Sequence, residues 1–221
     1  MHKLGILGLG AASTAFYIEQ LNLQYGKIFG NETTCPFVLV NTDFAQINQN
    51  LPNNFKILKG ILSPYLHYFE KIETDCLLIP NITLHETIDM LISEHDFSFK
   101  IIHPITLAIN HLQKHSIRNV TILGSQYTMT ADYMPRYLRE SNININHLPT
   151  ATQKSIDEIR KRIFYNNEQP REELMSYINN INISSKPIIA CTELSQTLIG
   201  TENLVDLAQL QIKEAINIIT T

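Results

Sequence analysis

"LGILGLGAAST", residues 4–14, is an apolar run that ends in a glycine-punctuated turn and enters a stretch rich in hydroxyls. Apolar residues without polar alternation fit a strand buried on both faces, as in a parallel sheet. The same plan returns at "VTILGSQYTMT", residues 120–130: a strand, Ile-Leu-Gly, then a hydroxyl-rich helix start. Each copy is followed by a later strand ending in a polar turn, "IPNITLH" at 79–85 and "IACTELS" at 189–195. The interval is 73 residues from Gly8 to Asn81 and 67 from Gly124 to Cys191. The same order at similar spacing indicates two related α/β halves.

Working outward, strand-like runs fall at Leu4–Leu7, Phe37–Val40, Cys76–Ile79, Lys100–Ile102, Val120–Leu123, Ile143–His147, Pro187–Ala190 and Leu204–Asp206. Helical stripes lie between them: Thr14, Tyr17, Ile18, Leu21 and Tyr25; Leu84, Ile88, Leu91 and Ile92; and Ala208, Ile212, Ala215, Ile216 and Ile219. The alternation predicts an α/β fold of two pseudo-symmetric halves, each a parallel sheet flanked by helices. The expected halves are residues 1–102 with 207–221, and residues 103–206. Ligands of open α/β sheets bind beyond the carboxyl ends of the strands, so an active-site cleft between the halves is expected.

Composition narrows the function. The 221 residues are 44% hydrophobic and 17% charged, which fits a globular chain and neither a disordered nor a membrane-spanning one. A net charge of −4 without long runs argues against a nucleic-acid partner. "RKR" at 160–162 is the one tight basic cluster and reads as a solvated helix face. Cys35, Cys76 and Cys191 are odd in number and widely spaced, which suits a reducing compartment better than a disulfide framework. The N-terminal apolar run is broken by Gly5, Gly8 and Gly10, so it reads as a first strand of a cytoplasmic protein and not a signal peptide.

Several motifs drop out. "GLGAAS" at 8–13 lacks the third glycine of a dinucleotide fingerprint, and Asp43 stands too far on to hold a ribose. Its glycines still let backbone N–H groups approach a carboxylate or phosphate. "HLQKH" places His111 and His115 one helical turn apart, but without the glutamate of HExxH or a third ligand. No GxSxG elbow and no P-loop is present. Neither metal nor cofactor is expected. Cys191 is the informative cysteine: it follows the apolar strand "KPIIA" and precedes a helix, whose start should lower a thiol pKa. Cys35 and Cys76 read as buried thiols.

These stretches together resemble the aspartate/glutamate racemase family, the cofactor-independent amino-acid racemases. The family's Cys-Thr-Glu-Leu signature stands intact as Cys191, Thr192, Glu193 and Leu194. Its "GTxYTM" is similar to Gly124, Ser125, Gln126, Tyr127, Thr128 and Met129. Its opening glycine turn resembles Gly8, Gly10, Ser13, Thr14, Ala15 and Tyr17, one residue shorter here. The family's Pro-Cys-Asn-Thr-Ala-His reads Pro80, Asn81, Ile82, Thr83, Leu84, His85, so the first of the two thiols is an asparagine. The match runs in order over nearly the whole chain.

The resemblance implies Cys191 as the catalytic thiol and Asn81 opposite it as a hydrogen-bonding group. It further implies a small amino-acid or carboxylate substrate, and a homodimer. Racemisation needs an acid and a base on opposite faces of Cα, and asparagine cannot exchange a proton at neutral pH. Cys76 is five residues upstream, about 16 Å along a strand. Three outcomes stay open. Cys191 serves one face while water or His85 serves the other, giving a slow or one-directional racemase. Or Cys191 protonates a carbanion formed by another route, as in the arylmalonate decarboxylase relatives that keep only the second cysteine. Or the chain is an inactive binding module for a small carboxylate. Substrate-binding candidates are Gly8, Ser13, Thr14, Asn41, Thr83, His85, Ser125, Thr128, Thr192 and Glu193. A basic anchor is sought at Lys161 or Arg162, with Glu168 at the strict spacing, and at Lys56 or Lys59 in the first half.

Overall fold

The computed structural model describes residues 2–221. In chain order the elements are β1 (Leu4–Gly8), α1 (Ala11–Phe29), β2 (Val38–Asn41), α2 (Phe44–Asn48), α3 (Phe55–Lys71), β3 (Cys76–Leu78), α4 (His85–Glu94) and β4 (Lys100–Ile101). There follow α5 (Pro104–Lys114), β5 (Asn119–Gly124), α6 (Gln126–Thr130), α7 (Tyr133–Glu140), β6 (Asn144–Ile145), α8 (Thr150–Asn166) and α9 (Arg171–Asn179). The chain closes with β7 (Lys186–Ala190), α10 (Thr192–Thr197), β8 (Val205–Asp206) and α11 (Leu207–Thr220). Two compact units result: Met1–His103 with Gln211–Thr221, and Pro104–Leu210.

Each unit holds a four-stranded, all-parallel sheet, ordered β2-β1-β3-β4 in the first and β6-β5-β7-β8 in the second. The two orders are the same topology repeated. All eight strands fall on the apolar runs expected from sequence, and the three expected helical stripes become α1, α4 and α11. Central strands β1, β3 and β7 are buried almost throughout, as parallel strands covered on both faces must be, whereas edge strand β2 is only half-buried.

In the first unit α3 presents Leu58, Leu62, Leu66 and Phe69 along one face, and α4 presents Leu84, Ile88 and Leu91. With Leu7, Leu77, Ile79, Phe97 and Phe99 these form a continuous core. Ile92, last in the α4 stripe, lies past the seam and is exposed. Gln211 of α11 is fully buried and ties the C-terminal helix into this unit. It accepts a bond from the Tyr17 hydroxyl at 2.6 Å and donates to the Ile102 carbonyl at 2.7 Å. No described helix is long and apolar enough to cross a membrane.

The topology marks where chemistry can gather. In the first unit the chain leaves β1 toward β2 on one side and leaves β3 toward β4 on the other. The switch point lies between β1 and β3, and ligands of such sheets bind beyond the carboxyl ends of the strands there. In the second unit the equivalent point lies between β5 and β7. The residues beyond those strand ends are the turns after Gly8, Leu78, Gly124 and Ala190.

Candidate active site

The turn after β1 is a closed network. The Leu9 N–H donates to Thr14 Oγ1 at 2.9 Å, and Ser13 Oγ donates to the Gly10 carbonyl at 3.0 Å. Ser13 and Thr14 are both buried. Gly8 is required by close approach: a Cβ there would lie 2.2 Å from Asn41 Oδ1, on the paired residue of β2. Its carbonyl accepts from both the N–H and the hydroxyl of Thr42. Asn41 itself is exposed at the end of β2.

The turn after β3 is set by Asn81. Its Oδ1 accepts from the Leu84 N–H at 3.0 Å, an Asx-type turn that delivers the chain into α4. Asn81 and Thr83 are half-buried. His85 lies in the core instead of at the surface of the turn, with no exposure at all. Its Nε2 is 3.4 Å from the buried amide of Gln211, and its ring centroid is 5.0 Å from that of His103. Burial, then the neighbouring His103, holds its pKa well below the usual imidazole value, so His85 is a neutral core group.

In the second unit Ser125 caps α6, its Oγ accepting from the Thr128 N–H at 3.1 Å and lying 2.8 Å from the Thr128 hydroxyl. Gly124 is needed because a Cβ would meet the Ala190 carbonyl oxygen at 3.0 Å, across the pairing that sets the ends of β5 and β7 side by side. One residue past Ala190 stands Cys191, 9% exposed. Its thiol donates to Glu193 Oε2 at 2.8 Å. Thr192 is buried at the first position of α10, and Glu193 is half-buried.

Cys191 is held in place by its backbone. Its carbonyl accepts from the Ser195 N–H at 3.0 Å, and the Ser195 hydroxyl lies 2.8 Å from Asp206 Oδ1 and 3.1 Å from that carbonyl. Asp206 Oδ1 also receives the Ala208 and Gln209 N–H groups at 2.9 and 3.1 Å, so one buried carboxylate caps α11 and braces α10. At the other end of α10, Arg171 donates to the carbonyls of Thr197 and Ile199.

The electrostatics at Cys191 run opposite to the direction expected from a helix start. Burial, and then the Glu193 carboxylate, push the thiol pKa well above its ordinary value. Arg160 and the Leu194 N–H pull it down but do not prevail. The resting sulfur is therefore a protonated thiol with its acceptor already in place.

Arg160 is the residue that sequence reasoning missed. Expected on a solvated face, its side chain is only 21% exposed, and its Nε donates to Asp157 Oδ1 at 2.7 Å. Burial works against its charge, but the Cys191 sulfur when ionised and the Asp157 and Glu193 carboxylates more than compensate. Asp157 also receives the Gln126 N–H at 3.2 Å, which links α8 to the turn after β5. The signal was the helical phase: Gln153, Ile156, Asp157, Ile159 and Ile163 are buried, so position 160 edges that face.

Three of the other candidate anchors are already engaged: Lys161 with Asp157 and Glu158, Arg162 with Glu173 and Glu168, and Lys59 with Glu94. Cys35 and Cys76 are buried free thiols, with burial pushing them up to about 11 and about 12.

No family model and no curated protein matches the sequence. Solved structures do match in three dimensions. An aspartate racemase homologue from Pyrococcus horikoshii superposes with a TM-score of 0.83 at 19% identity, covering all of both chains. Picrophilus torridus aspartate racemase gives 0.72 at 22% identity over 97% of this chain and 94% of the other. Glutamate racemase from Aquifex pyrophilus gives 0.61 at 13% identity, over 98% and 83%. Identities this low speak to architecture, and the architecture agrees over the full length: the chain carries the fold of the aspartate and glutamate racemases.

Proposed function

We propose that this chain is a cofactor-independent isomerase of amino acids or closely related carboxylates, moving one proton at Cα through Cys191. The observation that carries the reading is the Cys191 thiol donating to Glu193 with Arg160 nearby, at the switch point of the second sheet. Glu193 takes the thiol proton and the thiolate takes the proton from Cα. The electron pair left behind delocalises into the substrate carboxylate. With Nε committed to Asp157, the Nη groups of Arg160 are the donors for that carboxylate and for the charge that develops on it. Return of a proton from Cys191 to Cα leaves the thiolate again, and Glu193 gives its proton back to the sulfur, which regenerates the starting thiol and carboxylate.

A single proton carrier returns the proton to the face it came from. Inversion needs a second carrier, and Asn81 stands where the racemases that this chain resembles have their other thiol. Its amide does not titrate, so water must serve, and inversion is slower than exchange. The expected result in deuterium oxide is incorporation at Cα from one enantiomer of an acidic amino acid, faster than the appearance of the other enantiomer. Cys191→Ser should cut exchange by about 10²- to 10⁴-fold, the usual worth of a positioned acid or base. Asn81→Cys, which restores the second thiol, should raise inversion relative to exchange.

A second reading is a binding protein for a small carboxylate, without turnover. It is favoured by Asn81, whose Oδ1 already serves the Leu84 N–H. Ligand-dependent thermal stabilisation with no deuterium washout from either enantiomer would select it and remove the isomerase.

A further inference from the structure

Away from the strand ends, the first unit carries a cluster that no part of the proposed reaction uses. His67 and Glu70 sit one turn apart on α3, and His95 follows the last residue of α4. One ligand atom from each of the three lies within 4.8 Å of the others. Among the described residues they are the group of three or more His, Cys, Asp or Glu side chains placed to share an ion.

We propose that His67, Glu70 and His95 form a binding site for a divalent transition metal of the zinc class. Two imidazoles and one carboxylate are a borderline-soft nitrogen and oxygen set, which suits zinc, nickel or copper and not magnesium or calcium. Geometry supports it. His95 Nε2 and Glu70 Oε2 are 3.4 Å apart. A tetrahedral ion with bonds of about 2.0–2.1 Å sets its ligands about 3.3 Å apart. His67 offers a ring nitrogen within 4.8 Å of both other ligand atoms.

The neighbours orient the ligands. His67 Nδ1 lies 2.8 Å from the Ser63 carbonyl oxygen, which can only accept, so Nδ1 carries the hydrogen and Nε2 presents its lone pair. Glu70 Oε1 receives the Ser98 N–H at 3.2 Å, leaving Oε2 toward His95. Phe97 backs both imidazoles, at centroid distances of 5.3 and 4.4 Å. His67 and His95 are exposed, so water can reach the ion as a fourth ligand.

An ion there would clamp α3 to the carboxyl end of α4 and to the segment that leads into β4. Ten residues of α4, about 15 Å, separate this end from the Asn81 turn, so the role is structural, not catalytic. The test is titration of the full chain, stripped with chelator, with zinc and with cobalt. The expected result is one equivalent bound, a visible cobalt spectrum of tetrahedral intensity, and a rise in Tm that magnesium and calcium do not give. His95→Gln and Glu70→Gln should each weaken zinc by at least about tenfold. Cys191→Ser and His115→Gln should leave zinc binding unchanged, which sets aside the thiol and the other histidine pair. Undiminished zinc binding in both His95→Gln and Glu70→Gln, or no binding by wild type, would overturn the site whatever becomes of the isomerase.

Discussion

At position 191 opposing influences meet on one sulfur. Enclosure and the Glu193 carboxylate favour the thiol, while Arg160 and a backbone N–H favour the thiolate. The balance makes a prediction with a definite sign. Iodoacetamide should alkylate wild-type Cys191 slowly at pH 8 and faster as the pH rises. Glu193→Gln removes a negative neighbour and should accelerate labelling, whereas Arg160→Gln should slow it. Each unit of change in thiol pKa alters the rate by about tenfold while the thiol stays mostly protonated. Slower labelling in Glu193→Gln would mean that the carboxylate activates the sulfur instead of holding its proton. The Cys-Thr-Glu-Leu run was plain in the sequence because its members are contiguous. Its ionisation was not, since a helix start can be read from spacing whereas enclosure depends on distant segments. Arg160 was hidden in a basic triplet whose other two members do face solvent-side ion pairs.

The short helix α10 shows how an element of six residues is fixed. Ser195 and Asp206 hold its first turn, and Arg171 donates to its last carbonyl, that of Thr197. Burial raises the Asp206 carboxyl from 3.8 to about 6 against the three donors that face it. Between those values the folded chain holds a proton that the unfolded chain has released, so this contribution to stability is present at low pH and lost as the pH rises. The loss amounts to about 2 kcal/mol between pH 4 and pH 6. Urea unfolding across that range should give a flatter pH dependence for Asp206→Asn than for wild type, and an unchanged slope would assign the effect elsewhere. The strands on either side were legible as apolar runs. The carboxylate beneath the turn was not, because Asp206 and Ser195 meet only after β8 has paired with β7.

The whole molecule repeats one strand order in two units, and that repeat was visible as matching motifs at matching intervals before any coordinates. The cluster at His67, Glu70 and His95 was not visible, since its members come from α3 and from the residue just past α4, and acquire a common centre only through packing. The units also differ in how the chain builds them. The second is one continuous segment, whereas the first needs Gln211–Thr221. Gln211→Leu would remove the amide that receives the Tyr17 hydroxyl and donates to the buried Ile102 carbonyl, and should cost about 1–3 kcal/mol. Urea unfolding should show it as a lower midpoint with unchanged m.

That discontinuity bears on the order of birth. The second unit is complete within residues 104–210, whereas the first lacks a segment until Gln211 and the residues after it are present. A chain that stops before Gln211 therefore leaves the earlier-made half with an uncovered flank. A released fragment of residues 1–210 should be cut by protease within the first hundred residues and resist it within the next hundred, reversing the usual rule that what is made first is finished first.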